Sequence, residues 1–319
     1  MNSDSLRNPV FDIMKGITIL LVIVGHAEGL PFLLKNGITS FHMPLFFILA
    51  GYFFRPNPNL KQKLKKDSAR MLIPFVAVEL ILIGYSLAIY FINQNQSALI
   101  GTLKTIIFTC GVNQQVSNSV PVWFLVALFW AHTIVNIAFV KLERHKYLCL
   151  VVLSLSATFI YEYTHFDLPF AIIQGCSAIP FLLIGYLLKC DKLKSIILPL
   201  FALAVYVCNL PFSKLNTMIC AYGIYPIDFV GAIGGTFLIY MVSRYISRIS
   251  GGGYLNWAGI NSMVILCAYT IERYINIWRF IPGSNPYVLI VCKIIFCSIV
   301  VVLCYQWPFT RAIFKLRRY

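Results

Sequence analysis

Residues 12–34 read "DIMKGITILLVIVGHAEGLPFLL". The stretch is long and apolar enough to cross a bilayer, which takes about 20 residues of helix, yet it carries an aspartate, a lysine and a histidine. At about 100° per residue, Asp12, Lys15, Ile19, Val22 and His26, spaced 3, 4, 3 and 4, share one face of the helix. Ionisable groups at membrane depth are costly and by default mark a pathway or a site. The rise from Asp12 to His26 is about 21 Å, so the stripe starts at one membrane surface and ends in the opposite half. A plainer reading has Asp12 and Lys15 capping the helix entrance and His26 bonding a neighbouring carbonyl.

The rest of the chain agrees with a membrane reading. Of 319 residues, 59% are hydrophobic and only 12% charged, with a mean hydropathy of +0.80, which excludes an ordinary soluble domain. The first apolar run lacks a small-residue cleavage pattern and many similar runs follow it, so it reads as a retained helix. Ten stretches qualify as spans: 11–32, 39–54, 70–92, 121–140, 147–163, 168–188, 194–211, 221–243, 257–278 and 286–307. The segment between Asn93 and Pro121 is polar in patches, and its middle reads as an interfacial helix or a poor span. The fold class expected is an all-α polytopic helix bundle forming a single domain over residues 1–319. The ten cysteines lie mostly in apolar runs without metal-ligand spacing, which argues for packing thiols over a disulfide framework.

Lys and Arg concentrate in cytoplasmic loops. With the N-terminus inside, twenty of the 26 basic residues fall on the cytoplasmic side, among them Arg7, Lys15, the run from Arg55 to Arg70, Lys192 and Lys194. Five fall outside and Lys293 lies within the last span. Ten helices with both termini cytoplasmic satisfy this asymmetry, and the net charge of +15 is then explained by topology and lipid headgroups without nucleic acid. The glycines of "VGAIGGTF" can pack helices within a chain or between chains, so oligomeric state stays open.

The second helix, "SFHMPLFFILAGYFF", brings His42 in from the outer side a short loop after His26. Pro44 suits a first helical turn, and Gly51 permits close backbone approach. Two histidines delivered to one membrane face fit acid–base work, because an imidazole accepts and returns a proton near neutral pH. A metal would want a third ligand, and neither His132 nor His165 has helpful spacing. Arg70, opening "ARMLIPF" after the basic loop, is placed to hold an anionic carrier or to anchor a helix end.

The strings "FDIMKGITILLVIVGH", "SFHMPLFFILAGYFF", "ARMLIPF", "VWFLVALFW", "IPFLLIGYLL" and "WAGINSMVIL" follow in the order and approximate spacing of the bacterial acyltransferase 3 family. The chain resembles that family over nearly its whole length, and in detail its fucose 4-O-acetylase-like branch. The resemblance implies transfer of an acyl group, usually acetyl from cytoplasmic acetyl-CoA as donor substrate with no tightly bound cofactor, to a hydroxyl of a cell-surface glycan or lipid-linked precursor in the bacterial cytoplasmic membrane. It places the essential first-helix histidine on His26, the upstream Arg, Asp and Lys positions on Arg7, Asp12 and Lys15, the FH motif on Phe41 and His42, and the donor-side arginine on Arg70. Trp123 of the WFL segment could stack on a sugar ring or adenine, ordinary packing being the plainer reading, and Trp123, Asn261, Ser262 and Tyr269 are the expected substrate-side residues. One departure stands out: relatives usually carry a histidine shortly after GxNS, where this chain has Tyr269.

The resulting expectation is a membrane O-acetyltransferase with His26 as general base, His42 and Asp12 completing the catalytic set, and Lys15, Arg70 and Arg7 binding the donor. Two rivals remain open: a proton-coupled exporter, which buried ionisable residues also describe, and a non-catalytic partner in glycan assembly.

Overall fold

The computed structural model describes residues 8–93, 100–101, 103–104, 121–166, 168–190, 197–249, 252–280 and 285–316. Arg7, Lys192, Lys194 and most of the segment between Asn93 and Pro121 lie outside the described residues. Those that are described form helices and connecting turns, with a lone antiparallel bridge between Asn216 and Ala221.

Helix α1 (Pro9–Gly25) starts where Asn8 accepts a hydrogen bond from the Val10 amide at 3.0 Å and Pro9 occupies the first helical position, both favourable at an N-terminus. It ends at His26. After α2 (Phe32–Thr39) the chain breaks at Ser40 and Phe41 and resumes as α3 (His42–Tyr52), with Pro44 in the first turn, where a missing amide hydrogen costs nothing. The span expected over 39–54 is therefore two short helices, jointly Phe32–Tyr52. Helix α4 (Leu60–Asp67) runs through a π-helical turn, Ser68–Leu72, into α5 (Ile73–Asn93).

Helices α6 (Trp123–Lys141) and α7 (Lys146–Thr164) are continuous, whereas α8 (Ile172–Ser177) and α9 (Ile179–Lys189) belong to a pair bent by 51°. Then come α10 (Ile197–Asn209), α11 (Tyr225–Ile249), α12 (Gly253–Ile260), α13 (Ser262–Ile275), α14 (Pro286–Gln306) and α15 (Pro308–Phe314). Among the described residues six helices are long and apolar enough to cross a membrane, seven if the bent pair is one span. The difference from ten has a physical source. Helix α1 has 17 residues and α10 has 13, about 26 Å and 20 Å of rise, and the stretch expected as 257–278 is interrupted at Asn261.

Helix α1 is the central element, packed against α2, α3, α11, α12, α13 and α14. Its closest partner is α12, where glycines sit on both sides of the crossing. A Cβ on Gly16 would fall 1.9 Å from the Leu255 carbonyl oxygen, and one on Gly259 would fall 1.7 Å from that of Asp12. The α3–α9 crossing repeats the device, with Gly51 against Leu182 O and Gly185 against Ile48 O, each at 1.9 Å. Small residues let backbones meet where lipid offers no hydrophobic drive between helices. The glycines of "VGAIGGTF" serve the same purpose within the chain: Gly234 would meet Ala202 O at 2.0 Å and Gly235 the Phe41 ring at 2.6 Å. Apolar side chains of α5, α7, α10 and α14, such as Leu80, Val152, Phe201 and Ile299, are exposed around the outside, as a lipid-facing surface requires. The nine described cysteines are free thiols.

The glycine crossings predict opposite outcomes for one substitution. Gly51→Ala forces α3 from α9 and should cost about 1–3 kcal/mol, read as a lower Tm of the detergent-purified protein. Gly84→Ala, within α5 with nothing inside 4 Å, should be neutral or stabilising by up to about 1 kcal/mol.

Candidate active site

His26 and His42 meet. The rings lie 6.0 Å apart between centroids and nearly perpendicular at 89°, and the Tyr269 ring lies 6.1 Å from His26. The two helix ends determine which ring nitrogen is available. The last carbonyls of a helix have no intrahelical partner, and His26 Nδ1 lies 2.8 Å from Val22 O at the end of α1, while His42 Nδ1 lies 3.0 Å from Ile38 O at the end of α2. A carbonyl only accepts, so each Nδ1 carries the hydrogen and each neutral ring keeps its lone pair on Nε2. The pair is buried, His42 at 5% exposure.

Residues outside the expected site set complete this end. Arg273 Nη1 donates to Tyr269 Oη at 3.5 Å, which leaves the phenolic hydrogen free to donate elsewhere. Lys293 Nζ lies 5.8 Å from the Tyr269 ring centroid and pairs with buried Glu272 at 3.4 Å. Lys293 stood out as a charge within a span; Glu272 and Arg273 lie on α13, whose register places them one turn from Tyr269.

The other end of the α1 stripe opens on a cleft of about 170 Å³ lined by Lys15, Ile19, Arg70, His132 and Ser262 among apolar walls including Met43, Phe124 and Leu266. Lys15 and Ile19 belong to the same α1 face as Val22 and His26, so the cleft and the histidines lie along one stripe. Lys15 forms an ion pair with Asp12 at 2.8 Å. Arg70 projects, exposed, from the π-helical turn, a distortion that widens one helical turn and re-aims its side chains. The π-helical turn packs against α6, and the loop before α4 is tied to the same helix, where Asn57 N donates to Asn136 Oδ1 at 2.8 Å and Asn136 Nδ2 donates back to Asn57 O at 3.1 Å.

The stripe of expected site residues thus divides in two. His26, His42 and Tyr269 form one group; Lys15, Arg70 and Ser262 line the cleft, with Asp12 paired to Lys15. Asp12 is separated from His26 by the length of α1, about 21 Å, and does not touch it. Trp123 is 5% exposed and packs edge-on to Phe124 at 6.4 Å, and Phe124 is the residue that lines the cleft. Asn261 is 1% exposed; its Nδ2 donates to Trp257 O and its Oδ1 accepts from Tyr305 Oη, both at 2.9 Å. Its amide closes the break between α12 and α13.

That contrast is measurable. Asn261→Ala removes two buried hydrogen bonds and should cost about 2–4 kcal/mol at roughly 1–2 kcal/mol each, seen as a fall in Tm. The neighbouring Ser262→Ala, at the cleft wall, should stay within about 0.5 kcal/mol of wild type.

Searches of curated proteins and of solved structures returned no match. A family model described as an acyltransferase domain matches residues 8–307, which takes in both histidines, the π-helical turn and the GxNS segment. The chain belongs to the acyltransferase 3 family and is a multi-pass membrane acyltransferase.

Proposed function

We propose that this acyltransferase moves an acetyl group from cytoplasmic acetyl-CoA to a hydroxyl of a cell-surface glycan or its lipid-linked precursor in a bacterial cytoplasmic membrane, with both chain termini cytoplasmic. The observation that carries the reading is the paired histidines, each with Nδ1 committed to a helix-end carbonyl and a basic Nε2 left over. In the reaction His26 Nε2 takes the proton of the acceptor hydroxyl as its oxygen attacks the thioester carbonyl carbon. The C–S bond breaks, and the leaving thiolate recovers that proton from the imidazolium. The products are the O-acetyl ester and free CoA.

The remaining residues divide the work by charge. Lys15 and Arg70, at the cleft mouth, bind the donor's phosphates, Arg70 being suited to bidentate contact; Arg7 joins them as an expectation from the family motif. Asp12 holds Lys15 in position through their ion pair. His42 orients the acceptor or the acyl carbonyl, and Tyr269, its hydroxyl hydrogen free, donates to the same group. Lys15 and His26 are eleven residues apart on α1, about 16 Å by helix rise, a gap for the extended pantetheine arm to cover. The reading takes direct transfer, since no serine or cysteine stands out as an acyl carrier, with Trp123, Asn261 and Ser262 supporting the surrounding walls.

The test is mass spectrometry of base-labile acetyl groups on total cell-surface glycan in a deletion strain complemented with wild type or His26→Ala at matched membrane expression. Acetyl groups should return with wild type and fall at least about 100-fold short with the variant, the usual scale for loss of a general base. Equal return with both removes His26 from the chemistry, and no return with either, without CoA release in membranes, favours an exporter or an assembly partner. In the same membranes Arg70→Ala should raise KM for acetyl-CoA roughly 10-fold, the scale of one charge-assisted hydrogen bond, with the acceptor KM unchanged.

A further inference from the structure

The cleft contains a polar side chain for which the reaction above has no use. His132, on α6, is 8% exposed and lines the cleft together with Lys15 and Arg70. Among the described residues neither of its ring nitrogens has a hydrogen-bond partner. It faces a buried carboxylate. Its Nδ1 lies 3.6 Å from Asp67 Oδ2, within ion-pair reach. That same carboxylate oxygen is 2.7 Å from Lys63 Nζ, and Asp67 and Lys63 are both buried. Phe54 backs the arrangement, its ring centroid 5.4 Å from that of His132 and 4.9 Å from Lys63 Nζ.

Such a layer is costly to bury for packing alone, since buried polar groups are normally satisfied. An ionised carboxylate only accepts, so facing Asp67 places the ring hydrogen on Nδ1 and the lone pair on Nε2. The missing partner is therefore a hydrogen-bond donor. Phosphate oxygens of a thioester carrier do not donate, which leaves the amine of its flat, polar adenine and the amides of its arm. The pantetheine arm is narrow, largely aliphatic and carries two amide N–H groups, which suits a cleft with apolar walls and few polar residues.

We propose that His132 is a donor-contact residue whose Nε2 accepts a hydrogen bond from a pantetheine amide, with Asp67 and Lys63 fixing its orientation. The inference rests on the reading of the cleft as the donor site and adds the residue that recognises the arm.

The experiment measures binding of coenzyme A, pantetheine and adenosine 3′,5′-bisphosphate to the purified full-length protein in lipid nanodiscs. Three variants share the comparison. His132→Ala removes the ring. His132→Asn keeps a polar group near the Nδ1 position facing Asp67 and has none at Nε2. His132→Gln reaches the Nε2 position with an accepting oxygen. Loss of one neutral hydrogen bond corresponds to roughly 3- to 10-fold in affinity. His132→Ala and His132→Asn should each weaken coenzyme A and pantetheine by about that factor and leave the bisphosphate unchanged, while His132→Gln recovers most of the loss. In turnover the same two variants should raise KM for acetyl-CoA with little change in kcat.

Unchanged coenzyme A binding in His132→Asn overturns the inference, as does an equal loss for the bisphosphate, which would put His132 at the phosphates. A His132→Gln protein that elutes as wild type yet binds no better than His132→Asn also overturns it. Failure of the wild type itself to bind coenzyme A overturns the donor reading of the cleft and this inference with it.

Discussion

The placement of the histidines and of the cationic cleft depends on how closely α1 approaches α12. The backbones touch at Gly16 and Gly259, each lying where a Cβ would strike the other helix's carbonyl oxygen. With no hydrophobic drive between helices in lipid, such close contact is what gives an interhelical interface its van der Waals energy. It fixes α1 in the middle of the bundle and turns its ionisable face inward. A costly stripe of Asp12, Lys15 and His26 is then tolerable, because each group meets protein or a polar cleft instead of hydrocarbon.

The histidine pair owes its chemistry to incomplete helices. Val22 and Ile38 lie in the last turns of α1 and α2, where carbonyls are open to a side chain, although Ile38 O also accepts from the Phe41 amide at 3.4 Å. Each imidazole donates to one of these carbonyls through Nδ1. One local device thereby satisfies a backbone acceptor, orients a ring and exposes a basic nitrogen. Irregular backbone at membrane depth is tolerated where protein or a cavity surrounds it, and here it lies at the meeting point of α1, α2, α3 and α13. The π-helical turn at Ser68–Leu72 is a second interruption of the same kind, and it carries Arg70.

Much of this was legible from residue spacing. The 3, 4, 3, 4 stripe on the first helix predicted its buried polar face, and the position of His42 predicted a partner for His26, because adjacent helices joined by a short loop must present their near ends to each other. Gly51 was readable as a site of close approach. The contacts of Glu272, Arg273 and Lys293 around Tyr269 were hidden, since α13 and α14 meet the histidines through tertiary packing far from them in sequence. His132 carried no signal in its spacing either; its neighbour Asp67 lies at the end of a different helix, α4, far from it in sequence.

The sequence by itself determined that the chain is a helical membrane protein, that its first helix carries an ionisable face and which family it resembles. Hydropathy, helical periodicity and motif order are local properties, and a bilayer leaves a polypeptide few ways to satisfy its backbone. Only the tertiary structure decided that the stripe divides into a histidine centre and a cationic cleft, that several expected spans are broken or short, and that Asn261 closes a helix break. These depend on where helices stop and how near they approach, and both are settled by contacts between residues far apart in the chain.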